Sequence, residues 1–220
     1  MPIARRLATS LSSLALVVGL TAGIAQASEP VRLMAFGDSL VHGYGLDPDD
    51  VFPQQLEAAL RDQGHEVEVI NAGNSGDTTA AGLARIDWAL ADEPDAILVV
   101  LGANDGLRGL DPSETRRNLS GLLERLEEEE LPTLFTGMLA PRNLGSDYAA
   151  EFDALFPRLA KAHDVVFYPF FLDGVVAEPA LNQGDGIHPN AEGVAEIVAR
   201  ILPSVEELLS EVNDQAEAES

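Results

Sequence analysis

Ser39, Asp185 and His188 are the residues whose types and spacing best suit nucleophilic chemistry. Ser39 stands in Gly37-Asp38-Ser39-Leu40, directly after the apolar run Val31-Arg32-Leu33-Met34-Ala35-Phe36, so its hydroxyl turns out at a strand end. Asp185 and His188 share one late segment, Gly184-Asp185-Gly186-Ile187-His188-Pro189. One short loop can therefore hold both an imidazole base and the carboxylate that fixes its tautomer, and the fold must bring the serine to them. Such a set suits attack on an acyl carbonyl. Each residue also has a plainer use: Ser39 as a helix N-cap, Asp185-Gly186 as an ordinary turn.

Two further polar blocks follow apolar runs. Asn71-Ala72-Gly73-Asn74-Ser75-Gly76-Asp77-Thr78 comes after Val67 to Ile70, and Gly102-Ala103-Asn104-Asp105-Gly106 comes after Ala96 to Leu101. In an open parallel sheet such positions share one edge, where ligands bind. Taken singly, Asn104 is a turn residue. Taken in order, the blocks resemble the GDSL, or SGNH, hydrolase family, whose marks are a Ser, a Gly, an Asn and a His; the matching residues are Ser39, Gly76, Asn104 and His188. The resemblance covers nearly the whole chain beyond its leader. Ser-Gly-Asp-Thr at 75–78, Gly-Ala-Asn-Asp-Gly-Leu-Arg-Gly at 102–109 and Asp-Gly-Ile-His-Pro-Asn at 185–190 look most like its small bacterial thioesterase, lysophospholipase and arylesterase branch.

The resemblance implies hydrolysis of acyl esters or thioesters. It also implies an oxyanion hole made by the backbone N–H groups of Ser39 and Gly76 and the side-chain amide of Asn104. Glycine at 76 leaves its N–H open to substrate, and an amide at 104 donates without burying a cation. Asp38 is expected to hold the tight turn. Asp77 and Asp105 are rivals for the triad acid, but spacing to His188 favours Asp185.

The elements that must position these residues are legible as apolar runs alternating with helix-period segments, which is the pattern of β-α units around a mostly parallel sheet. Strands are expected at Val31 to Phe36, Val67 to Ile70, Ala96 to Leu101, Thr133 to Met138 and Val165 to Tyr168. Helices are expected at Phe52 to Arg61, Thr78 to Ala91, Pro112 to Glu130, Asp147 to His163 and about Ala191 to Leu209. Asp111 reads as an N-cap, with Pro112 at the first helical position and Glu114 placed for a capping box. The result is a three-layer α/β/α sandwich, and the resemblance implies a flavodoxin-like, mostly parallel five-stranded sheet.

Leu107, Leu139, Pro141, Leu144 and Tyr44 are expected to border an apolar acyl site, although an apolar residue near a sheet edge is most often simply core. The Gly- and Pro-punctuated loop Leu139 to Ser146 opens on the same edge. His42, one turn after Ser39, is placed to touch the pocket rim; His65 and His163, at helix ends, are expected to face solvent. Trp88 is expected to pack. Two rival functions remain open: a carbohydrate O-acetylesterase, which needs a polar, aromatic-lined cleft, and a noncatalytic binding domain, which would normally lack one of Ser39, Asn104 or His188. No histidine pair has a metal-ligand spacing and no Gly-rich loop matches a dinucleotide or phosphate-binding pattern, so no metal or cofactor is implied.

Residues 1–27 read as a secretory leader, with Arg5 and Arg6, an apolar stretch from Leu11 to Ile24 and Ala25-Gln26-Ala27 as a cleavage site. The apolar stretch, interrupted by Gly19, Thr21 and Gly23, is shorter than the ~20 residues needed to cross a bilayer. Residues 28–210 form one domain, and 211–220 read as a flexible acidic tail. Export to a periplasm or medium is expected; Arg5-Arg6 also raises twin-arginine export. The formal charge of −24 would become −26 once both leader arginines are removed. With 37 acidic residues and one lysine, Lys161, nucleic-acid binding is disfavoured, and the expected partner is a small acyl ester or thioester. The acidity suits a salt-rich environment and equally an ordinary acidic soluble protein.

Overall fold

The computed structural model describes residues 29–219, so the expected leader lies outside the described residues. Five strands, β1 (Val31–Gly37), β2 (Val67–Gly73), β3 (Ala96–Val100), β4 (Thr133–Thr136) and β5 (Val166–Tyr168), form one sheet in the order β2-β1-β3-β4-β5. Every pairing is parallel. All five residues of β3 are buried, as a strand covered on both faces must be, whereas β2 at the edge alternates buried and exposed positions along its first half.

Among the described residues seven α-helices connect and cover these strands: α1 (Ser39–His42), α2 (Phe52–Asp62), α3 (Thr79–Leu90), α4 (Ala103–Leu107), α5 (Pro112–Glu128), α6 (Ser146–His163) and α7 (Ala191–Glu219). α2 packs against α7, and α5 packs against both α3 and α6, giving the two outer layers of the sandwich. The core runs through both interfaces, with Phe36, Phe52, Phe135, Phe152, Phe156 and Phe171 fully buried. The chain reverses its direction of travel across the sheet between β1 and β3. At such a switch point the loops leaving the two strands diverge and leave a crevice at their carboxyl ends.

Three local expectations needed revision. The last helix continues well past Leu209, because Val212 extends the inward stripe of Val205, Leu208 and Leu209 and the Glu, Gln and Ala that follow favour helix. Asp111 does cap α5 by accepting from the Ser113 N–H at 2.8 Å, but Glu114 turns to Arg117 instead of completing a capping box. Trp88 is 77% exposed. α3 turns Gly82, Ile86 and Ala89 inward, and a residue two positions from Ile86 points away from that face.

Candidate active site

Ser39 is the first residue of α1, and the side chain that caps this helix is Asp38, whose Oδ1 accepts from the Leu40 N–H at 3.0 Å. The capping role open to Ser39 therefore belongs to its neighbour, and the serine hydroxyl is free for other work. α1 can sit this low on the sheet because β2 ends at Gly73, where any Cβ would run into the backbone of His42. His188 Nε2 lies 2.9 Å from Ser39 Oγ, and His188 Nδ1 lies 2.6 Å from Asp185 Oδ2. The other Asp185 oxygen accepts the N–H groups of Ile187 and His188, both at 3.0 Å, so one carboxylate shapes the loop and holds the ring. The bond to the His188 side chain, followed by these backbone bonds, holds the Asp185 carboxyl down at about 2. Tyr44 packs against the imidazole, ring centroids 4.7 Å apart.

Gln183 joins the two catalytic loops. Its N–H donates to the His188 carbonyl at 2.7 Å, and its Nε2 donates to the carbonyls of Tyr44 at 2.7 Å and Pro189 at 2.9 Å. Asn182 and Pro189 form an antiparallel bridge beside it.

Asn104 lies in the first turn of α4, a short helix that no periodicity in the sequence marks. Its Nδ2 donates to Asp38 Oδ2 at 3.2 Å, which fixes the amide and leaves its second hydrogen available to the crevice. Asp38 is fully buried, and burial outweighs the bonds from the Leu40 N–H and Asn104 to push its carboxyl up to about 6. Gly76 adopts φ +88°, a conformation that favours glycine whatever space surrounds it. The loop carrying Gly76 is braced from behind: Asp77 accepts from Asn74 Nδ2 and from Arg85 Nε, both at 2.6 Å, while Arg85 Nη2 also reaches the carbonyls of Gly37 and Ala72. Arg108 Nη2 donates to the Gly76 carbonyl at 2.9 Å.

The rival carboxylates are engaged elsewhere. Asp77 is bound to Arg85 and Asn74, and buried Asp105 accepts from the Thr79 N–H at 2.9 Å, the Thr79 hydroxyl at 2.6 Å and the Thr115 hydroxyl at 3.3 Å. Among the described carboxylates only Asp185 bonds His188.

A cavity of about 300 Å³ opens beside Ser39 and His188. Of the five residues expected on its wall, Leu107, Leu139 and Pro141 are there; Leu144 and Tyr44 are not. Leu144 closes a short turn over Gly109, and Tyr44 is taken up by the imidazole. Met138, Phe170, Leu172, Val176 and Ile187 complete an apolar wall that sequence reasoning missed. The signal was present: Pro169-Phe170-Phe171-Leu172 follows β5 and so opens on the same sheet edge, but an apolar run there reads as core.

The other histidines stand apart from this centre. His42 is exposed on α1, with Nδ1 3.4 Å from the Gly73 carbonyl, and does not line the cavity. His65 is partly exposed, 3.8 Å from Glu206. His163, expected to face solvent, has a side chain only 11% exposed, because α5 packs over the end of α6 and offers it Ser120 and Glu127. Among the described residues no group of three or more His, Asp or Glu could hold a metal ion.

Comparison with known proteins adds to this geometry. Residues 35–195 match the model of the GDSL-like lipase/acylhydrolase family. The chain is 39% identical over 196 residues to an arylesterase of Vibrio mimicus, covering 87% of this chain and 96% of that one. It is 34% identical over 187 residues to the esterase TesA of Pseudomonas aeruginosa, covering 84% and 93%. Among solved structures it is similar to AlinE4, an SGNH-hydrolase family esterase, with 48% identity, a TM-score of 0.71 and coverage of 84% of this chain and 99% of the other. With a family match across well over half of its length and relatives matched nearly end to end, this chain belongs to the GDSL-like lipase/acylhydrolase family.

Proposed function

We propose that this protein is a serine esterase that hydrolyses short- to medium-chain acyl esters and thioesters through a covalent acyl-enzyme. The observation that carries the reading is the unbroken line from Asp185 through His188 to Ser39 Oγ at the mouth of an apolar cavity. As the Ser39 oxygen bonds to the acyl carbon, its proton passes to His188 Nε2, and Asp185 stabilises the imidazolium that forms. The carbonyl oxygen becomes anionic among the N–H groups of Ser39 and Gly76 and the Asn104 amide. The imidazolium then protonates the departing alcohol or thiol as the bond to it breaks. A water, deprotonated by His188, cleaves the acyl-Ser39 ester and restores the hydroxyl.

The apolar wall suits a hydrocarbon chain better than a sugar, since Phe170, Leu172 and Val176 offer a hydroxyl-rich ring nothing to bond with. A relative from Escherichia coli, 39% identical over 161 residues, is named thioesterase 1/protease 1/lysophospholipase L1, which fits lysophospholipids and thioesters as substrate classes for this chain. Export of the protein behind the leader at residues 1–27 belongs to the same reading; no described helix is long and apolar enough to cross a membrane.

Ser39→Ala is expected to lower p-nitrophenyl butyrate hydrolysis by about 10³-fold or more while leaving the circular dichroism native. Retention of most activity in the folded variant would end the serine-esterase reading. A panel of acyl esters and acyl thioesters of graded chain length then separates ester from thioester preference.

A further inference from the structure

Arg108 follows α4 directly and touches both segments that carry proposed oxyanion donors. Its backbone N–H donates to the Asn104 carbonyl at 3.1 Å, and its guanidinium donates to the Gly76 carbonyl at 2.9 Å. These segments leave different strands, β2 and β3, which are not neighbours in the sheet because β1 lies between them. Asp77 and Arg85 brace the Gly76 loop against α3 and β1, and Asp105 of α4 holds Thr79 just beyond the loop, but none of these bonds Gly76 itself to α4. Arg108 does. In a chain with 37 acidic residues its guanidinium has no carboxylate within 4 Å among the described residues, so its charge is directed at a backbone oxygen.

We propose that Arg108 is a positioning residue that locks the Gly76 loop to α4 and thereby fixes the separation between the Gly76 N–H and the Asn104 amide. The proposal rests on the reading of those two groups as oxyanion donors. A charged donor to a carbonyl makes a stronger bond than a neutral one, which offsets the entropy lost by ordering a long exposed side chain. Donors aimed at an oxyanion act chiefly in the transition state and demand close placement, so loosening their spacing reduces turnover and leaves ground-state binding nearly untouched. Lysine can offer the carbonyl a charged donor but not the planar fork, so it should serve only in part.

The test is steady-state kinetics on p-nitrophenyl butyrate, with thermal unfolding, for Arg108→Ala, Arg108→Lys, Asn104→Ala and the Asn104→Ala/Arg108→Ala double variant. Arg108→Ala should lower kcat by about tenfold with KM within about twofold, Arg108→Lys should recover part of the loss, and the unfolding temperature should stay within about 2 °C. In the Asn104→Ala background the same substitution should cost clearly less than tenfold, because the donor pair it aligns is already broken. An unchanged kcat, a raised KM at constant kcat, or a kcat loss that tracks a lowered unfolding temperature and is not relieved by lysine would each overturn the proposal. Asn104→Ala with wild-type kcat would overturn the oxyanion reading itself, and the clamp with it. Loss of kcat in Asn104→Ala with none in Arg108→Ala would leave the oxyanion reading standing and overturn the clamp alone.

Discussion

Asp38 and Asp185 lie on either side of the Ser39–His188 pair, and their surroundings drive them in opposite directions. Asp185, bonded to the imidazole and to two backbone N–H groups, is held at about 2 against an ordinary 3.8, so its stabilising effect is present above the ordinary value and fades only as pH falls through about 2. It remains the anion that a triad acid must be. Asp38, buried, is raised to about 6; the folded chain keeps a proton that the unfolded chain releases near 3.8, so this group lowers stability as pH rises between those values. A protonated Asp38 is a poorer acceptor for the Asn104 amide, and below about pH 6 the site should therefore lose oxyanion alignment. The expected outcome is a fall in log kcat/KM below about pH 6 that is shallower in Asp38→Asn than in the wild-type protein; identical acid limbs in the two would mean that Asp38 titration is silent. Ser39 and Asn104 were legible as candidates because each stands in a short block just after a strand, and Asp185 and His188 because they share one short loop. Asp38 was legible only as holding its own turn, since the partner that gives it a second task, Asn104, is 66 positions away.

At the level of elements, the candidate active site is a set of loops leaving strand ends, and what matters is how they are tied together. Gln183 supplies one tie, bonding the turn after α1 through Tyr44 to the loop of His188. Gln183→Ala should therefore lower kcat/KM by about tenfold, in a protein with native far-ultraviolet circular dichroism, because small displacements of a base from its nucleophile are costly to rate. Unchanged kinetics would show that the backbone bonds of the loop and the Asn182–Pro189 bridge suffice to set it. The long elements were legible from their periodicity, and Asp147 to His163 was readable as helix even across Pro157, which α6 accommodates internally. The short ones were not. α1 and α4 are four and five residues long, too few to show a period, and they form because the sheet edge positions them.

At the scale of the molecule, charge is the dominant property. A formal net charge of −24 implies self-repulsion throughout the folded state, and exposed pairs such as Arg32–Glu68 offset little of it. Raising ionic strength to about 1 M shortens the screening length to about 3 Å and suppresses that repulsion over most charge separations. The unfolding temperature is thus expected to rise from low to molar NaCl, as followed by circular dichroism; a flat or falling response would show that the acidity carries no adaptation to salt. The parallel arrangement followed from the alternation of runs, whereas the order β2-β1-β3-β4-β5 has no local signature and came only through family resemblance. The contact between Ser39 and His188 spans 149 positions, almost the length of the folded domain. A ribosome therefore releases the proposed nucleophile early and its proposed base late, and no translation product that ends before residue 188 can contain a working pair. On the proposed route of export, a chain that crosses a membrane unfolded is inert throughout its passage, and the cell's own esters meet the hydrolase only afterwards, when the final loop has docked.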